Sequence, residues 1–359
     1  MKVFDYMKEF GHEQVIYFYD KHTGLKGITA IHNTVLGPAI GGTRLFNYQN
    51  EDDALFDVIR LSRGMTYKCS AAECNCGGGK TVLIGNPKTV KTEAYLRAYG
   101  RYVQSLNGRF YTGEDMNINE FDVDYLLMET KYVNGRANMS GNPSPVTAYG
   151  VYWGIKAAAF EKWQNNSLTD KVIAVQGVGA VGYILCKFLY QEGAKLIITD
   201  IDNEKVKKAV LDFKAIAVNP EDIYSIKCDI FSPNSIGAIL NDKTIPLLNC
   251  EIVAGAANNV LLDEKIHGDM LMNRGIIYAP DYVINAGGLI NVYQEFFPPY
   301  DHNKALNIVQ KIYDRLLSVF DYAKRHHINT QLAANLFSEE RIKLINAIHN
   351  NYIPNQKRL

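Results

Sequence analysis

The sequence lacks the features that would direct a protein to a membrane, a nucleic acid or the secretory route. Its 38 Lys+Arg balance 38 Asp+Glu, so no net basic field attracts nucleic acid or an anionic bilayer. No uncharged apolar run reaches the roughly 18 residues that a membrane span needs. Asp5 and its neighbours put charge where a signal peptide needs an apolar stretch. We therefore expect no nucleic-acid partner, no membrane association and no secretion.

Cysteines are few and unpaired in sequence, and no C-x-x-C motif occurs. The six stand at Cys69, Cys74, Cys76, Cys186, Cys228 and Cys250. Disulfide frameworks and zinc sites use regularly spaced pairs, which this pattern does not provide. Cys74 and Cys76 alone offer a metal only two sulfurs. The pattern indicates reduced thiols in a cytoplasmic protein without a metal site.

The chain has no internal repeat, and its 359 residues favour two domains at about 100–200 residues each. In the first part we expect a hairpin of strands over 14–20 and 27–33, a helix capped by Asn50, and further helices over 91–106 and 120–129. From about Thr147 helices alternate with apolar strands at 172–175, 195–199, 251–254 and 275–278. This alternation predicts an α/β fold with a parallel sheet, preceded by a boundary at 142–145. One helix over 305–323 and another over 338–350 are expected at the end.

A dinucleotide-binding fingerprint follows the first strand of this second part. It consists of Gly177, Val178, Gly179, Ala180, Val181 and Gly182, and a helical pattern comes directly after it. In such a motif Gly177 makes the tight turn, Gly179 lets the backbone approach a pyrophosphate, and Gly182 allows close packing. The free N–H groups of the following helix then bind the pyrophosphate. Strand, spacing and helix together indicate a dinucleotide site.

Asp200 ends the next strand, 18 positions after Gly182, near the spacing of about 20 expected for the ribose-binding acid. Its carboxylate would accept hydrogen bonds from the ribose hydroxyls and repel a 2′-phosphate. Asp202 adds to that repulsion, whereas Lys205 is a nearby cation that weakens it. The sequence therefore predicts NAD as the cofactor and disfavours NADP.

Two lysines of the first part stand in unusual surroundings. Lys80 follows three glycines, and Lys68 lies 12 positions earlier on the predicted helix. A lysine confined beside bare backbone and a second ammonium has a lowered pKa and can act as a base. Asp115 is a plausible carboxylate partner. A phosphate-binding loop ending at 79–81 is disfavoured because Cys74 occupies a required glycine position, and two exposed lysines remain the simpler alternative.

With these residues in view, the sequence resembles the family of glutamate, leucine, phenylalanine and valine dehydrogenases, and is most similar to its leucine members. The resemblance covers almost the whole chain. Besides the fingerprint it is carried by GPAIGGTR at 37–44, RGMTYK at 63–68, GGGKT at 77–81, GNPSPVTAYG at 141–150 and APDYVINAGG at 279–288. The order of these motifs is highly specific to the family.

The resemblance implies a role for each matching residue. Lys80 would be the catalytic base, Lys68 would hold the substrate α-carboxylate, and Asp115 would relay protons around the amine. Gly41 and Gly42 would line the carboxylate end of the substrate site. The nicotinamide half of NAD would be held by Thr147, Ala256, Asn258 and Asn285. The family's fold implies an N-terminal α/β domain for substrate binding and oligomerisation, spanning 1–142 and completed by about 328–359, and a Rossmann-type NAD-binding domain over 143–327.

The resemblance also bears on the substrate. Ile40 replaces a lysine that meets the side-chain carboxylate in the glutamate enzymes, and burying that carboxylate without a partner costs several kcal/mol. Leu289 and Val292 match apolar pocket positions, so leucine, isoleucine and valine are expected, although both could be ordinary core residues. Gly113, where leucine members usually carry alanine, keeps phenylalanine open. A catalytically impaired NAD-binding regulatory homologue is a further alternative. The family forms homo-oligomers, often octamers.

Overall fold

The computed structural model describes residues 2–235 and 237–348, and it divides into two compact units. Unit 1 comprises Met1–Gly141 together with Ser338–Leu359, and unit 2 comprises Asn142–Phe337. Each unit has its own sheet, so the expectation of a two-domain α/β fold is confirmed. No helix of the described residues is long and apolar enough to span a membrane.

Unit 1 is built on a mixed six-stranded sheet. Its strands are β1 (Gln14–Asp20), β2 (Leu25–Asn33), β3 (Ala39–Ile40), β4 (Thr43–Phe46), β5 (Gly77–Ile84) and β6 (Phe110–Tyr111). Its helices are α1 (Val3–Phe10), α2 (Glu51–Ala71), α3 (Pro87–Val90), α4 (Glu93–Ser105) and α5 (Glu120–Leu127). The order is β1-β2-β5-β3-β6, with β4 paired to the second half of β5. Because β5 pairs along both edges, its residues lie at the centre of the unit.

Helix α2 begins and packs as the sequence predicts. The Asn50 side chain accepts a hydrogen bond from the Asp53 N–H at 2.8 Å, which caps the helix start. The buried stripe of α2 packs with side chains of β2 and β5, and the cluster contains Ile28, Ala30, Ala54, Leu55, Val58, Ile59 and Val82. Burial of this apolar stripe is what holds the amphipathic helix against the sheet.

The last helix, α14 (Thr330–Ile348), contributes its residues from Ser338 onward to unit 1. There the Ser70 hydroxyl donates to the Ser338 carbonyl at 2.8 Å, and the Tyr67 hydroxyl donates to Glu339 at 2.7 Å. This part of α14 is thus bonded to α2. The helix expected over 338–350 begins earlier, at Thr330, and extends to Ile348, and positions 349–350 lie outside the described residues.

Unit 2 contains a six-stranded parallel sheet of order β12-β11-β10-β7-β8-β9. The strands are β7 (Val172–Gln176), β8 (Lys195–Thr199), β9 (Ile216–Ala217), β10 (Ile230–Pro233), β11 (Ile252–Val253) and β12 (Ile277–Tyr278). The helices are α6 (Ser144–Trp163), α7 (Ala180–Gln191), α8 (Asn203–Phe213), α9 (Glu264–Asn273), α10 (Asp281–Ile284), α11 (Gly287–Tyr293), α12 (His302–Gln310) and α13 (Ile312–His326). With β7 counted as strand 1, the sheet has the strand order 3-2-1-4-5-6 of dinucleotide-binding sheets. Later strands are added on one side of β7 up to β9 and on its other side from β10 onward, so the strand order switches between β7 and β10.

Three details of the sequence-based assignment are wrong. No strand was assigned to the glycine run at 77–79, but β5 begins at Gly77 and pairs there with β3. The central strand β10 was not predicted, since it has only four residues and ends in a proline. The single helix expected over 305–323 is two helices separated by Lys311. The break was not predicted because the apolar periodicity continues across it.

Candidate active site

Lys80 lies at the centre of unit 1 with its side chain enclosed. It sits within β5, opposite Ala30 of β2, and is only 5% exposed. Its Nζ lies 3.3 Å from Oδ1 of Asp115, in the segment that follows β6. The predicted partnership of lysine and carboxylate therefore exists in the structure. Because its glycines belong to a strand and not to a loop, the segment also does not form a phosphate-binding loop.

The glycines near this ion pair allow neighbouring backbone segments to approach each other closely. A Cβ added to Gly41 would lie 1.9 Å from the Gly79 carbonyl oxygen, and one on Gly42 would lie 1.9 Å from the Glu114 carbonyl oxygen. No side chain fits at such distances. The link between β3 and β4 thus runs directly against the Lys80 strand and the Asp115 segment.

The other residues predicted for this end of the site lie nearby in unit 1. Ile40 is buried in β3 and pairs with Gly78 and Tyr111. Gly113 accepts a hydrogen bond from the Thr43 N–H at 2.9 Å, and a Cβ on it would lie 3.0 Å from the Asn134 carbonyl oxygen. Lys68 is half-buried on α2. This helix lies directly against β5, because a Cβ added to Gly78 would be 2.1 Å from the backbone nitrogen of Thr66.

Asp115 is held as a carboxylate between two cations. Its Oδ1 faces Lys80, and its Oδ2 accepts a hydrogen bond from Nε of Arg44 at 3.1 Å. Burial opposes ionisation, but the charges of Lys80 and Arg44 outweigh it and lower the pKa of Asp115 below its ordinary value. The sequence reasoning gave Arg44 no role, although a lone charged residue closing a glycine-rich motif was a usable signal.

The fingerprint of unit 2 has the geometry that its spacing predicts. Gly177 adopts a φ of +94°, which favours glycine, and a Cβ on Gly182 would lie 2.0 Å from the Gly177 carbonyl oxygen. Gly179 caps α7, and a Cβ on it would meet nothing within 4 Å. Backbone N–H groups at the start of α7, including those of Ala180 and Val181, have no partner inside the helix.

A cavity of about 340 Å³ lies beside this helix start. It is lined by Asn142, Ser144, Val178, Gly179, Ala180, Tyr183, Ile184, Lys205 and Lys208. The cavity receives positive charge from two lysines and from the N-terminus of the helix, and the space beside Gly179 is open. This combination suits a phosphate-bearing ligand.

Asp200 is tied to the fingerprint turn by its carboxylate. Its Oδ2 accepts from the Val178 N–H at 2.8 Å, and its Oδ1 accepts from the Asp202 N–H at 3.0 Å. The acid at the end of β8 and the turn after β7 are thereby fixed to one another. These two hydrogen bonds to Asp200 were not predicted from the sequence.

Asn285, Asn258 and Ala256 come together as a second group in unit 2. The Asn285 amide donates to the Ala256 carbonyl at 3.1 Å and to Oδ1 of Asn258 at 2.6 Å. Asn285 is buried, and its own Oδ1 has no protein partner. This unpartnered acceptor is available to a ligand N–H.

Asn234, which the sequence reasoning missed, joins this group to the fingerprint. Its Oδ1 accepts from the Ala256 N–H at 2.9 Å, while its N–H donates to the Gln176 carbonyl just before Gly177. It follows the unpredicted strand β10, so no sequence pattern indicated it. Both halves of the expected dinucleotide site are therefore connected through one residue, by its side chain on one side and its backbone on the other.

The remaining predicted residues lie around α11. Thr147 lies on α6, and a Cβ added to Gly288 of α11 would be 2.8 Å from its Oγ1. The two helices therefore pack closely at this point. Leu289 is buried and Val292 is half-buried on α11. Among the described residues, no cluster of three or more His, Cys, Asp or Glu could hold a metal ion, and the six cysteines form no disulfide.

Comparisons with known proteins agree with both units. A model described as "Glu/Leu/Phe/Val dehydrogenase, dimerisation domain" matches residues 12–132. A second, described as "Glutamate/Leucine/Phenylalanine/Valine dehydrogenase", matches residues 198–347. The chain belongs to this family of amino-acid dehydrogenases.

Several members of the family are similar over nearly the whole chain. Leucine dehydrogenase of Thermoactinomyces intermedius is 52% identical over 362 residues, covering 100% of this chain and 98% of that protein. Phenylalanine dehydrogenase of Caldalkalibacillus thermarum is 46% identical over 352 residues, covering 95% of this chain and 93% of that protein. The crystal structure of L-tryptophan dehydrogenase from Nostoc punctiforme superposes with a TM-score of 0.85 at 48% identity, covering 96% of this chain and 99% of that one.

Membership confirms the family that the sequence resembles. The chain is an amino-acid dehydrogenase, and enzymes of this family use a nicotinamide cofactor. The residues of unit 2 fit such a cofactor, because the Gly179 approach is open and the buried Asn285 oxygen lacks a partner.

Proposed function

We propose that the protein catalyses the reversible, NAD-dependent oxidative deamination of branched-chain L-amino acids to 2-oxo acids and ammonia. Leucine, isoleucine and valine are the proposed substrates. The buried contact between Lys80 Nζ and Asp115 Oδ1 carries the proposal, because an amine and a carboxylate in contact can hold and exchange the protons of this reaction.

The cofactor supplies one chemical event, which is acceptance of a hydride from the substrate Cα when it is bound. The residues of unit 1 do the rest. Lys68 holds the α-carboxylate through its ammonium. Lys80 takes a proton onto Nζ from the water that adds to the imine carbon. Asp115 passes protons to the departing amine, so that the carbinolamine collapses to 2-oxo acid and ammonia.

NAD is the proposed cofactor, with Gly177–Gly182 around the pyrophosphate and Asp200 at the adenosine ribose. The carboxylate of Asp200 is already placed by the Val178 and Asp202 N–H groups, which supports a fixed acceptor for ribose hydroxyls. A 2′-phosphate beside this carboxylate would be repelled. We assign Thr147, Ala256, Asn258 and Asn285 to the nicotinamide half. The hydrogen bonds from the Asn285 amide to Ala256 and Asn258 support the grouping of these three residues.

The branched-chain preference is supported by the apolar character of the proposed pocket. Ile40 is buried and offers no charge to a side-chain carboxylate, while Gly41, Gly42 and Gly113 place only backbone beside the ion pair. Leu289 and Val292 are proposed as further apolar contacts. One methylene changes binding by only about 1–3 kcal/mol, so all three branched substrates should react.

Phenylalanine is the second candidate substrate. Gly113 lacks the methyl group that the leucine members usually carry, and the similar proteins include a phenylalanine dehydrogenase and an L-tryptophan dehydrogenase. A wider pocket would accept an aromatic ring. The two candidates differ in a single measurable ratio, which is kcat/KM for leucine against phenylalanine.

We further propose a cytoplasmic homo-oligomer, an octamer by analogy with leucine members of the family. The model matching residues 12–132 is described as a dimerisation domain, which supports subunit contacts through the N-terminal domain, 1–142 with about 328–359. The domain over 143–327 is assigned to NAD. Sedimentation of the purified protein tests the assembly, and a dimer would contradict the octamer.

The function is tested by following NADH formation from each natural amino acid, with NAD and with NADP. Lys80→Ala should lower kcat by about 10²–10⁴-fold, the usual contribution of a general base, and leave NAD affinity unchanged. Lys88→Ala, at an exposed lysine of the same unit, is the control. Full turnover by Lys80→Ala, or no turnover of leucine, isoleucine or valine by the unmodified enzyme, would contradict the proposal.

A further inference from the structure

We propose that Arg44 is a positioning residue that fixes the Asp115 carboxylate, with Asp57 holding Arg44 from its other side. The inference rests on the proposed function, because it assigns the residue that orients the proton-relaying carboxylate. Nothing in the reaction requires Arg44 to touch the substrate.

The geometry is a chain of alternating charges that ends at the base. Nζ of Lys80 lies 3.3 Å from Oδ1 of Asp115, and Nε of Arg44 lies 3.1 Å from Oδ2 of the same carboxylate. Nη1 of Arg44 lies 2.9 Å from Oδ2 of Asp57. Both Asp115 oxygens are therefore occupied by different cations, and the carboxylate cannot rotate without breaking one contact.

The partial burial of the chain makes these contacts stronger than surface ion pairs. The side chain of Arg44 is 22% exposed, and those of Asp57 and Asp115 are each 27% exposed. Charges removed from water interact through a lower effective dielectric and are screened less by salt. When Lys80 is protonated, two positive and two negative charges alternate, so attraction between neighbours offsets part of the cost of removing each charge from water.

A guanidinium suits this position because two of its nitrogens face different partners. Nε of Arg44 donates to the carboxylate of Asp115, and Nη1 donates to the carboxylate of Asp57. The planar group holds these donors in fixed directions, whereas a lysine ammonium is a single point on a flexible stem. Substitution by lysine would keep the charge and lose the bridge.

Tyr48 completes the support behind Arg44. Its hydroxyl donates to Oδ2 of Asp57 at 2.6 Å, and burial, together with this bond to a carboxylate, raises the pKa of Tyr48 far above its ordinary value. The hydroxyl therefore remains a donor across the working pH range. Asp57 lies on α2 and Tyr48 follows β4, so separate elements fix the guanidinium.

The charged groups around Asp115 come from each element packed against it. Lys80 faces it from β5 and Arg44 from β4, Tyr48 interacts with it electrostatically, and the Met116 N–H bonds to it. Loss of the Arg44 charge removes one of the two cations that favour the ionised carboxylate. Removal should therefore misorient Asp115 and make it easier to protonate.

The test compares Arg44→Gln with Arg44→Lys in steady-state kinetics across pH. In Arg44→Gln, kcat should fall by about tenfold to hundredfold while KM for the amino acid changes far less, as expected when a reacting group is displaced. The acid limb of the kcat/KM profile should move up by about one pH unit or more. Arg44→Lys should leave the acid limb in place and lower kcat by a smaller factor.

Asp57→Asn provides a second measurement that leaves the guanidinium present. It should lower kcat less than Arg44→Gln does, because Arg44 loses only its rear support. Arg60→Gln and Asp52→Asn, at exposed positions of α2, are the matched controls and should behave like the unmodified enzyme. Circular dichroism establishes that each variant is folded, and Asp57→Asn and Arg44→Lys carry the test if Arg44→Gln does not fold.

The outcomes separate this inference from the proposed function. If the unmodified enzyme oxidises no amino acid, or Lys80→Ala is fully active, the proposed function fails. If Lys80→Ala is inactive while Arg44→Gln keeps both kcat and the acid limb, only the positioning role is overturned. Equal loss in Arg44→Gln and Arg44→Lys with no pH shift would likewise overturn it, because charge would then have no effect on Asp115.

Discussion

Oδ2 of Asp200 accepts a hydrogen bond from the backbone N–H of Val178 at 2.8 Å. The bond joins the end of β8 to the turn between β7 and α7. Asp200 thus has a structural contact in addition to its proposed contact with the ribose. Because Oδ1 is bonded to the Asp202 N–H, the carboxylate plane is fixed before any ligand arrives.

Substitution of Asp200 should change cofactor choice. The Asp200→Ala change removes the repulsion of a 2′-phosphate and also removes the acceptor for the ribose hydroxyls. A hydrogen bond to a charged group contributes about 1.5–3 kcal/mol. The ratio of kcat/KM for NADP to that for NAD should therefore rise by at least about tenfold. Steady-state kinetics with both cofactors measure the ratio. Asp170→Asn, at an exposed acid of the same unit, is the control, and an unchanged ratio in Asp200→Ala would argue against the assignment.

The two amides near α11 give a second test of the cofactor site. In Asn285→Asp, a donor that faces the Ala256 carbonyl and the Asn258 Oδ1 becomes an acceptor. Three oxygens would then converge, and we expect NAD affinity to fall by at least about tenfold. Titration of cofactor binding by fluorescence measures this. Asn165→Asp makes the same change at an exposed site where only the side-chain oxygen is used, and it should have no effect.

Two glycines of unit 1 should respond to alanine in opposite directions. Gly42→Ala would place Cβ 1.9 Å from the Glu114 carbonyl oxygen, which forces backbone to move and should lower the free energy of unfolding by about 1–3 kcal/mol or more. Gly64 lies inside α2, and a Cβ there would meet nothing within 4 Å. Gly64→Ala should therefore raise stability by about 0.5–1 kcal/mol. Urea unfolding compares the pair, and a Gly42→Ala protein as stable as the parent would refute the close approach.

A buried histidine pair should make unit 1 sensitive to mild acid. The rings of His12 and His32 lie 4.7 Å apart, and burial lowers the pKa of each to about 4. The unfolded chain, with a histidine pKa near 6.5, binds more protons between these values. The free energy of unfolding should therefore fall as pH drops from about 6.5 to about 4, by up to about 3 kcal/mol for each ring.

The measurement is urea unfolding at several pH values between 7.5 and 4.5. His32→Gln removes one titrating ring and should flatten the dependence relative to the parent, even if it is less stable at neutral pH. His22→Gln, at an exposed turn position, should reproduce the parent's slope. A slope in His32→Gln equal to that of the parent would mean that the His32 ring is not excluded from protonation in the folded state.

Some parts of the molecule follow from short stretches of sequence. The hairpin between β1 and β2, the Asn50 cap and the Gly177–Gly182 turn each depend on residues a few positions apart, so their geometry is encoded locally. The helix break at Lys311 and the short strand β10 were missed because periodicity continues across one residue and four residues carry little pattern. Family membership could likewise be read from the order of the motifs.

The sequence alone therefore determined the two α/β domains and the glycine-rich turn of unit 2, and it indicated Lys80 as the candidate base. Only the tertiary structure decided that Arg44 and Asp57 stand behind Asp115, and that Asn234 joins Ala256 to the fingerprint. The physical reason is that these contacts join residues far apart along the chain. Which strands become neighbours fixes such contacts, and strand order depends on the packing of the whole sheet, which no local pattern of residues records.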